Sequence, residues 1–142
     1  MTPPTLVDTG PLVAFLNRRD RHHRWAAARL AELPVPLLTC EAVVSETCFL
    51  VRHARGGPSA VLELLSRGAL RIAFQLEDNV SAVRLMARYA RVPMSLADAC
   101  LVRMAEAHTD SRVLTLDRDF RLYRKHGRHA IPAIMPEDRR RA

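Results

Sequence analysis

Aromatic residues are scarce in this chain, at 5% of the sequence. A core with so few rings must be aliphatic, built from Leu, Val, Ala and Ile, and little ring surface remains for stacking on bases. Lysine is nearly missing: Lys125 is the only one, and every other basic residue is arginine. The three cysteines, Cys40, Cys48 and Cys100, show neither C-x-x-C spacing nor a disulfide framework. That excludes a thiolate zinc site and leaves buried thiols in a reducing compartment. No apolar run reaches the roughly 18 residues of a membrane helix. Met1 to Gly10 carries prolines and an acid where a signal peptide needs an apolar stretch. The expected location is therefore cytoplasmic, away from membranes. A Gly-rich phosphate loop is absent, and so is a nucleophile elbow around Ser or Cys. His22-His23 and the His126/His129 pair lack a third ligand at workable spacing and read as surface histidines.

What is present fits one folded unit. A chain of 142 residues buries roughly 68–70% of its unfolded surface, and 49% hydrophobic residues supply a core. The expected division is a domain over residues 1–136 and a polar tail over 137–142. The net charge of +7 points to a polyanionic partner, nucleic acid being the commonest. Arginine that merely decorates helix surfaces is the alternative.

Short apolar segments alternate with helical patterns along the chain. Thr5-Leu6-Val7, Leu37-Leu38-Thr39, Ala69 to Leu76, Arg112 to Leu116 and a stretch near Ala130 to Met135 read as strands. Between them, helices are predicted over Leu12 to Leu16, from an Asp20 cap to Leu33, Glu41 to His53, Val61 to Ser66, Asn79 to Arg91, and Ser95 to His108. Gly56-Gly57-Pro58 reads as a breaker, and Ser95-x-x-Asp98 as a capping box. Continuous apolar strands separated by helices predict an α/β fold: a single-domain α/β/α sandwich on a mainly parallel sheet.

Four acids stand where acids need a reason, because an ionised carboxylate without a partner is costly to bury. Asp8 directly follows the first strand, where ligands of open parallel sheets collect; a helix N-cap is the alternative. Glu46 has Ala42, Val43, Phe49 and Leu50 as helical neighbours, which predicts a carboxylate on the buried side. Its alternative is a Glu satisfied by arginine. Asp98 shares a face with Leu101, Val102 and Ala105, and it also suits a capping box. Asp117 ends the Val113 to Leu116 strand, with an Asx turn to Asp119 as the other reading. A doubly wound sheet brings such positions to one edge. Carboxylates gathered there repel one another unless cations are present. Hard oxygen donors without a His or Cys set favour Mg²⁺ or Mn²⁺.

At these residues the sequence resembles the PIN-domain family, and within it the VapC-type toxins of toxin–antitoxin pairs. Leu6 to Ala14 is similar to the first acidic motif, Thr39 to Glu46 to the second, Met94 to Ala99 to the third, and Val113 to Phe120 to the last. The likeness spans about Leu6 to Tyr123, with the motifs in family order. It implies metal-dependent RNA cleavage, often a homodimer, and inhibition by a cognate antitoxin. The implied catalytic and metal-binding residues are Asp8, Glu46, Asp98 and Asp117, with Thr115 and Asp119 as possible auxiliaries. Asp8 and Asp98 are then expected to hold one Mg²⁺, with Glu46 and Asp117 completing the site or holding a second ion. Arg18, Arg19, Arg21, Arg24 and the Arg118 to Arg128 cluster are candidate phosphate contacts. Two rivals stand beside this reading: a non-catalytic RNA- or partner-binding module, and a Mg²⁺-dependent small-molecule phosphatase.

Overall fold

Five strands of two or three residues make one parallel sheet in the order β3-β2-β1-β4-β7. They are β1 (Thr5–Val7), β2 (Leu37–Thr39), β3 (Leu70–Ile72), β4 (Arg112–Leu114) and β7 (Ala133–Ile134). The computed structural model describes residues 2–88 and 92–137. Strand β1 lies in the middle, with Leu6 opposite both Leu38 and Val113. All three of its residues are buried, as the unbroken apolar pattern requires of a strand covered on both faces.

The helices are α1 (Thr9–Leu16), α2 (His23–Glu32), α3 (Glu41–Leu50), α4 (Gly57–Ser66), α5 (Ser81–Arg88) and α6 (Leu96–Ala107). They flank the sheet in an α/β/α arrangement, the predicted fold class. The most deeply set is α6, which contacts β1 and β4. Its small residues Ala97, Ala99 and Ala105 are buried with Leu101, Val102 and Met104, and the fully buried Phe120 and Tyr123 join the same core.

Element bounds depart from the sequence expectations for identifiable reasons. Strand β3 stops at Ile72 instead of running to Leu76, because its partner β2 is only three residues long before α3 begins. The freed segment turns into a 3-10 helix at Leu76–Asn79. Strand β4 likewise ends at Leu114, since its partner β1 gives way to the α1 cap at Asp8. Helix α3 ends at Leu50, not His53, in a tightened turn where Val51 N–H reaches the Phe49 and Thr47 carbonyls. Gly56-Gly57-Pro58 begins α4 instead of merely separating elements, with Pro58 in its first turn, where no N–H is needed. Asp20 accepts from His22 N–H in the turn before α2 and is not its cap residue. A small hairpin, β5 (Arg124–Lys125) with β6 (His129–Ala130), has no counterpart among the predicted elements; Gly127 supports its turn with φ of 76°. The predicted helix residues 89–91 and the tail residues 138–142 lie outside the described residues.

The chain runs from β1 outward through β2 to β3, then returns to place β4 on the other side of β1. Strand order reverses between β1 and β4, and a crevice opens there at their carboxyl ends. Asp8 and Asp117 both follow strands at that crevice.

Candidate functional site

Asp8 leaves β1 with its N–H still bonded to the Leu114 carbonyl at 3.0 Å, so the β1–β4 pairing fixes its backbone. It also caps α1: Oδ1 accepts from Thr9 N–H at 2.7 Å. Its other oxygen, Oδ2, accepts from the Thr115 hydroxyl at 2.7 Å. The cap reading and the site reading thus hold together, one oxygen for each. Asp8 is 6% exposed. Burial pushes its carboxyl up to about 7, against the two hydrogen bonds, and the charges of Asp98 and Asp117 add to the rise.

Thr115, fully buried, uses both roles of its hydroxyl. It donates to Asp8 and accepts from Asp117 N–H at 2.9 Å. One side chain therefore sets the spacing between the acids that follow β1 and β4. Asp117 then accepts from Asp119 N–H at 2.9 Å, forming the Asx turn that opens the 3-10 segment Arg118–Arg121.

Asp98 sits in the first turn of α6. Its N–H donates to Ser95 Oγ at 3.1 Å while its Oδ2 accepts from Ser95 N–H at 3.4 Å, completing the predicted capping box. The same Oδ2 lies 3.1 Å from the Tyr123 hydroxyl, whose one proton is shared with the Pro93 carbonyl at 2.7 Å. Burial raises Asp98 above the ordinary carboxylate range, and the charge of Asp117 adds to it. Burial and the neighbouring Asp98 hold the Tyr123 hydroxyl well above its usual value, so it serves as a donor.

Glu46 requires a correction. It is exposed, not on the buried side of α3. The buried stripe of that helix runs through Val43 and Thr47, while Phe49 and Leu50 are 60% and 50% exposed. Two of the apolar neighbours that predict an inward Glu46 are themselves at the surface. Glu46 still reaches the crevice, where its Oε2 accepts from the Thr9 hydroxyl at 3.2 Å.

The structure brings Asp8, Glu46, Asp98, Asp117 and Asp119 to the wall of one open cleft of about 750 Å³, with Thr9, Ser95 and Leu116 between them. Gly10 belongs to that wall because Leu116 packs against it: an added Cβ would stand 3.2 Å from the Leu116 side chain. Among the described residues no three acids, imidazoles or thiols form a closed metal cage. The acids share a cleft without crowding around one point. Such a donor set suits Mg²⁺, which keeps several waters and uses one or two carboxylates. A deeply buried carboxylate with further acids beside it is the feature that fits a cation. Tyr123 and Thr9 are contacts of the acids that sequence reasoning misses. Tyr123 lies 25 positions from Asp98, and only the third dimension joins them.

Residues 5–126 match the family model of the PIN domain. The chain belongs to the PIN-domain family. All five acids of the cleft and Tyr123 fall inside the matched span. Ribonuclease VapC26 of Mycobacterium tuberculosis (strain ATCC 25618 / H37Rv) is 28% identical over 116 residues, covering 80% of this PIN domain chain and 86% of that protein. The crystal structure of Mycobacterium tuberculosis VapC20, a sarcin–ricin-loop-cleaving toxin, superimposes with a TM-score of 0.68 at 22% identity. That superposition covers 81% of this chain and 91% of that one, and it establishes the shared PIN fold. Among the described residues no helix is long and apolar enough to cross a membrane.

Proposed function

We propose that this PIN domain is a divalent-metal-dependent endoribonuclease, hydrolysing RNA phosphodiester bonds as the toxin of a toxin–antitoxin pair. The observation that carries the reading is Asp8: a carboxylate 6% exposed, raised to about 7, and sharing a cleft with Asp98 and Asp117. Asp8 and Asp98 would hold Mg²⁺, or Mn²⁺, with Glu46 and Asp117 completing the site or serving a second ion, and Asp119 as an auxiliary acid. When bound, the ion neutralises the cleft and acts as a Lewis acid toward the phosphodiester and its attacking water.

The chain's own side chains do the rest. Thr115 and Thr9 N–H aim the two Asp8 oxygens, and Ser95 and Tyr123 aim Asp98. Hydrolysis adds water across a P–O bond, so one proton leaves the water and one reaches the departing ribose oxygen. Glu46, exposed at the cleft wall, is an acid that solvent reaches. Residues 1–136 are the proposed nuclease unit, acting in the cytoplasm as a homodimer and held inactive by a cognate antitoxin. Kinship with a VapC ribonuclease supports the toxin and partner assignments.

The test is incubation of purified protein with end-labelled RNA in Mg²⁺ and in EDTA, beside Asp98→Asn. Internal cuts that need both Mg²⁺ and Asp98 are expected. RNA binding unaffected by Asp98→Asn with no cutting by wild type would instead mark a non-catalytic module. Turnover of a phosphomonoester without RNA cleavage would mark a phosphatase.

A further inference from the structure

A second hollow of about 860 Å³ adjoins the acidic cleft, and Leu116 lines both. Its character is opposite. Among the described residues Arg21, Arg24, Arg118 and Arg121 line it together with one acid, Glu137, and Trp25 lies among them. Two elements build it. The start of α2 contributes Arg24 and Trp25, with Arg21 just before. The 3-10 segment contributes Arg118 and Arg121, which eclipse each other because that helix has three residues per turn. The same segment puts Asp117 and Asp119 on the cleft side. One turn of chain thus separates a negative wall from a positive one.

Trp25 is the only tryptophan in the chain. It is half-buried, packs against the core and lines the groove. Arg21 is oriented, since its Nε donates to His22 Nε2 at 3.1 Å. Guanidinium groups beside an aromatic ring are the equipment for single-stranded nucleic acid: phosphates on the cations, an unpaired base on the ring. A duplex hides its base faces, and an acidic peptide without an aromatic or apolar side chain leaves the indole uncontacted.

We propose that this groove is the path of single-stranded RNA leading from the cleft, with phosphates on Arg21, Arg24, Arg118 and Arg121 and one unpaired base stacked on Trp25. The choice of RNA rests on the ribonuclease reading, but the test does not require cleavage. A short mixed-sequence single-stranded RNA is titrated in EDTA, reading Trp25 emission and the anisotropy of a fluorescent label. Saturable quenching of Trp25 is expected. Arg21→Glu with Arg24→Glu should weaken binding about tenfold or more, and should flatten the slope of log affinity against log salt by about 0.7 for each phosphate no longer neutralised. Trp25→Leu should weaken binding about tenfold, with Trp25→Phe recovering part of it.

RNA binding that leaves Trp25 emission unchanged, or that survives the double charge reversal, overturns the proposal. So does quenching by polyglutamate as strong as that by RNA, which would assign the groove to an acidic protein partner. Quenching by RNA with no cutting once Mg²⁺ is added keeps the groove and removes the ribonuclease. Cutting with Trp25 silent does the reverse.

Discussion

A carboxylate taken out of water beside other carboxylates raises the free energy of the fold unless a proton or a cation shares the space. Asp8 is in that position, and its folded value of about 7 lies above its ordinary 3.8. Between those values the folded chain keeps a proton that the unfolded chain has released, so stability falls as pH rises through the window. Each unit corresponds to roughly 1.4 kcal/mol, which sets a ceiling of a few kcal/mol. In EDTA the melting temperature should therefore drop between about pH 4 and about pH 7 and level off above that. Asp8→Asn should flatten that drop, and Mg²⁺ should restore the wild type at the upper pH; superimposable profiles for the two proteins would refute the assignment. At this scale the sequence is informative about which acids gather in the cleft and misleading about how one of them sits. Asp8, Asp98 and Asp117 are legible because each stands at a strand end or in an apolar stripe. Phe49 and Leu50 predict an inward Glu46, yet those two residues are exposed. Apolar spacing identifies a face but does not tell which apolar face the fold covers.

Elements bring the acids together through their ends. Two acids follow the adjacent strands β1 and β4, and one stands in the first turn of α6, where a negative charge also suits the helix dipole. The capping box of α6 is legible from Ser95 and Asp98, since its bonds are local. The Tyr123 contact is not, because it joins the segment after the 3-10 turn to α6 across the core. Tyr123 is a positioning residue, and Tyr123→Phe separates its roles. The ring would keep its edge-to-face packing on Phe120, at 5.0 Å and 76°, while Asp98 loses a donor. Stability should fall by about 1 kcal/mol. RNA cleavage should fall about tenfold in kcat, with the acidic limb of its pH profile moved upward, because losing that hydrogen bond raises Asp98 further. A wild-type rate and profile would show that the hydroxyl is not needed to hold Asp98. The strands are shorter than their apolar runs for a related reason: a ladder is as long as its shorter partner, and β2 ends where α3 begins.

The whole molecule carries a net charge of +7, yet an acidic cleft stands against an arginine-lined groove across Leu116. Composition announces the positive surface, and the alternation of apolar strands with helices makes the fold class legible. The arrangement of opposite charges side by side is not legible, because it depends on a 3-10 turn of four residues facing two ways. The scarcity of aromatics argues against base stacking in general, and Trp25 is the one phenylalanine, tyrosine or tryptophan ring among the described residues that line this groove. What the cleft is for can be measured without RNA. Mn²⁺ binding followed by electron paramagnetic resonance, on wild type and on Asp8→Asn and Asp98→Asn, reads the site directly. The account predicts saturable binding by wild type and strong weakening in both variants; no binding by wild type, or equal binding by all three proteins, would contradict it.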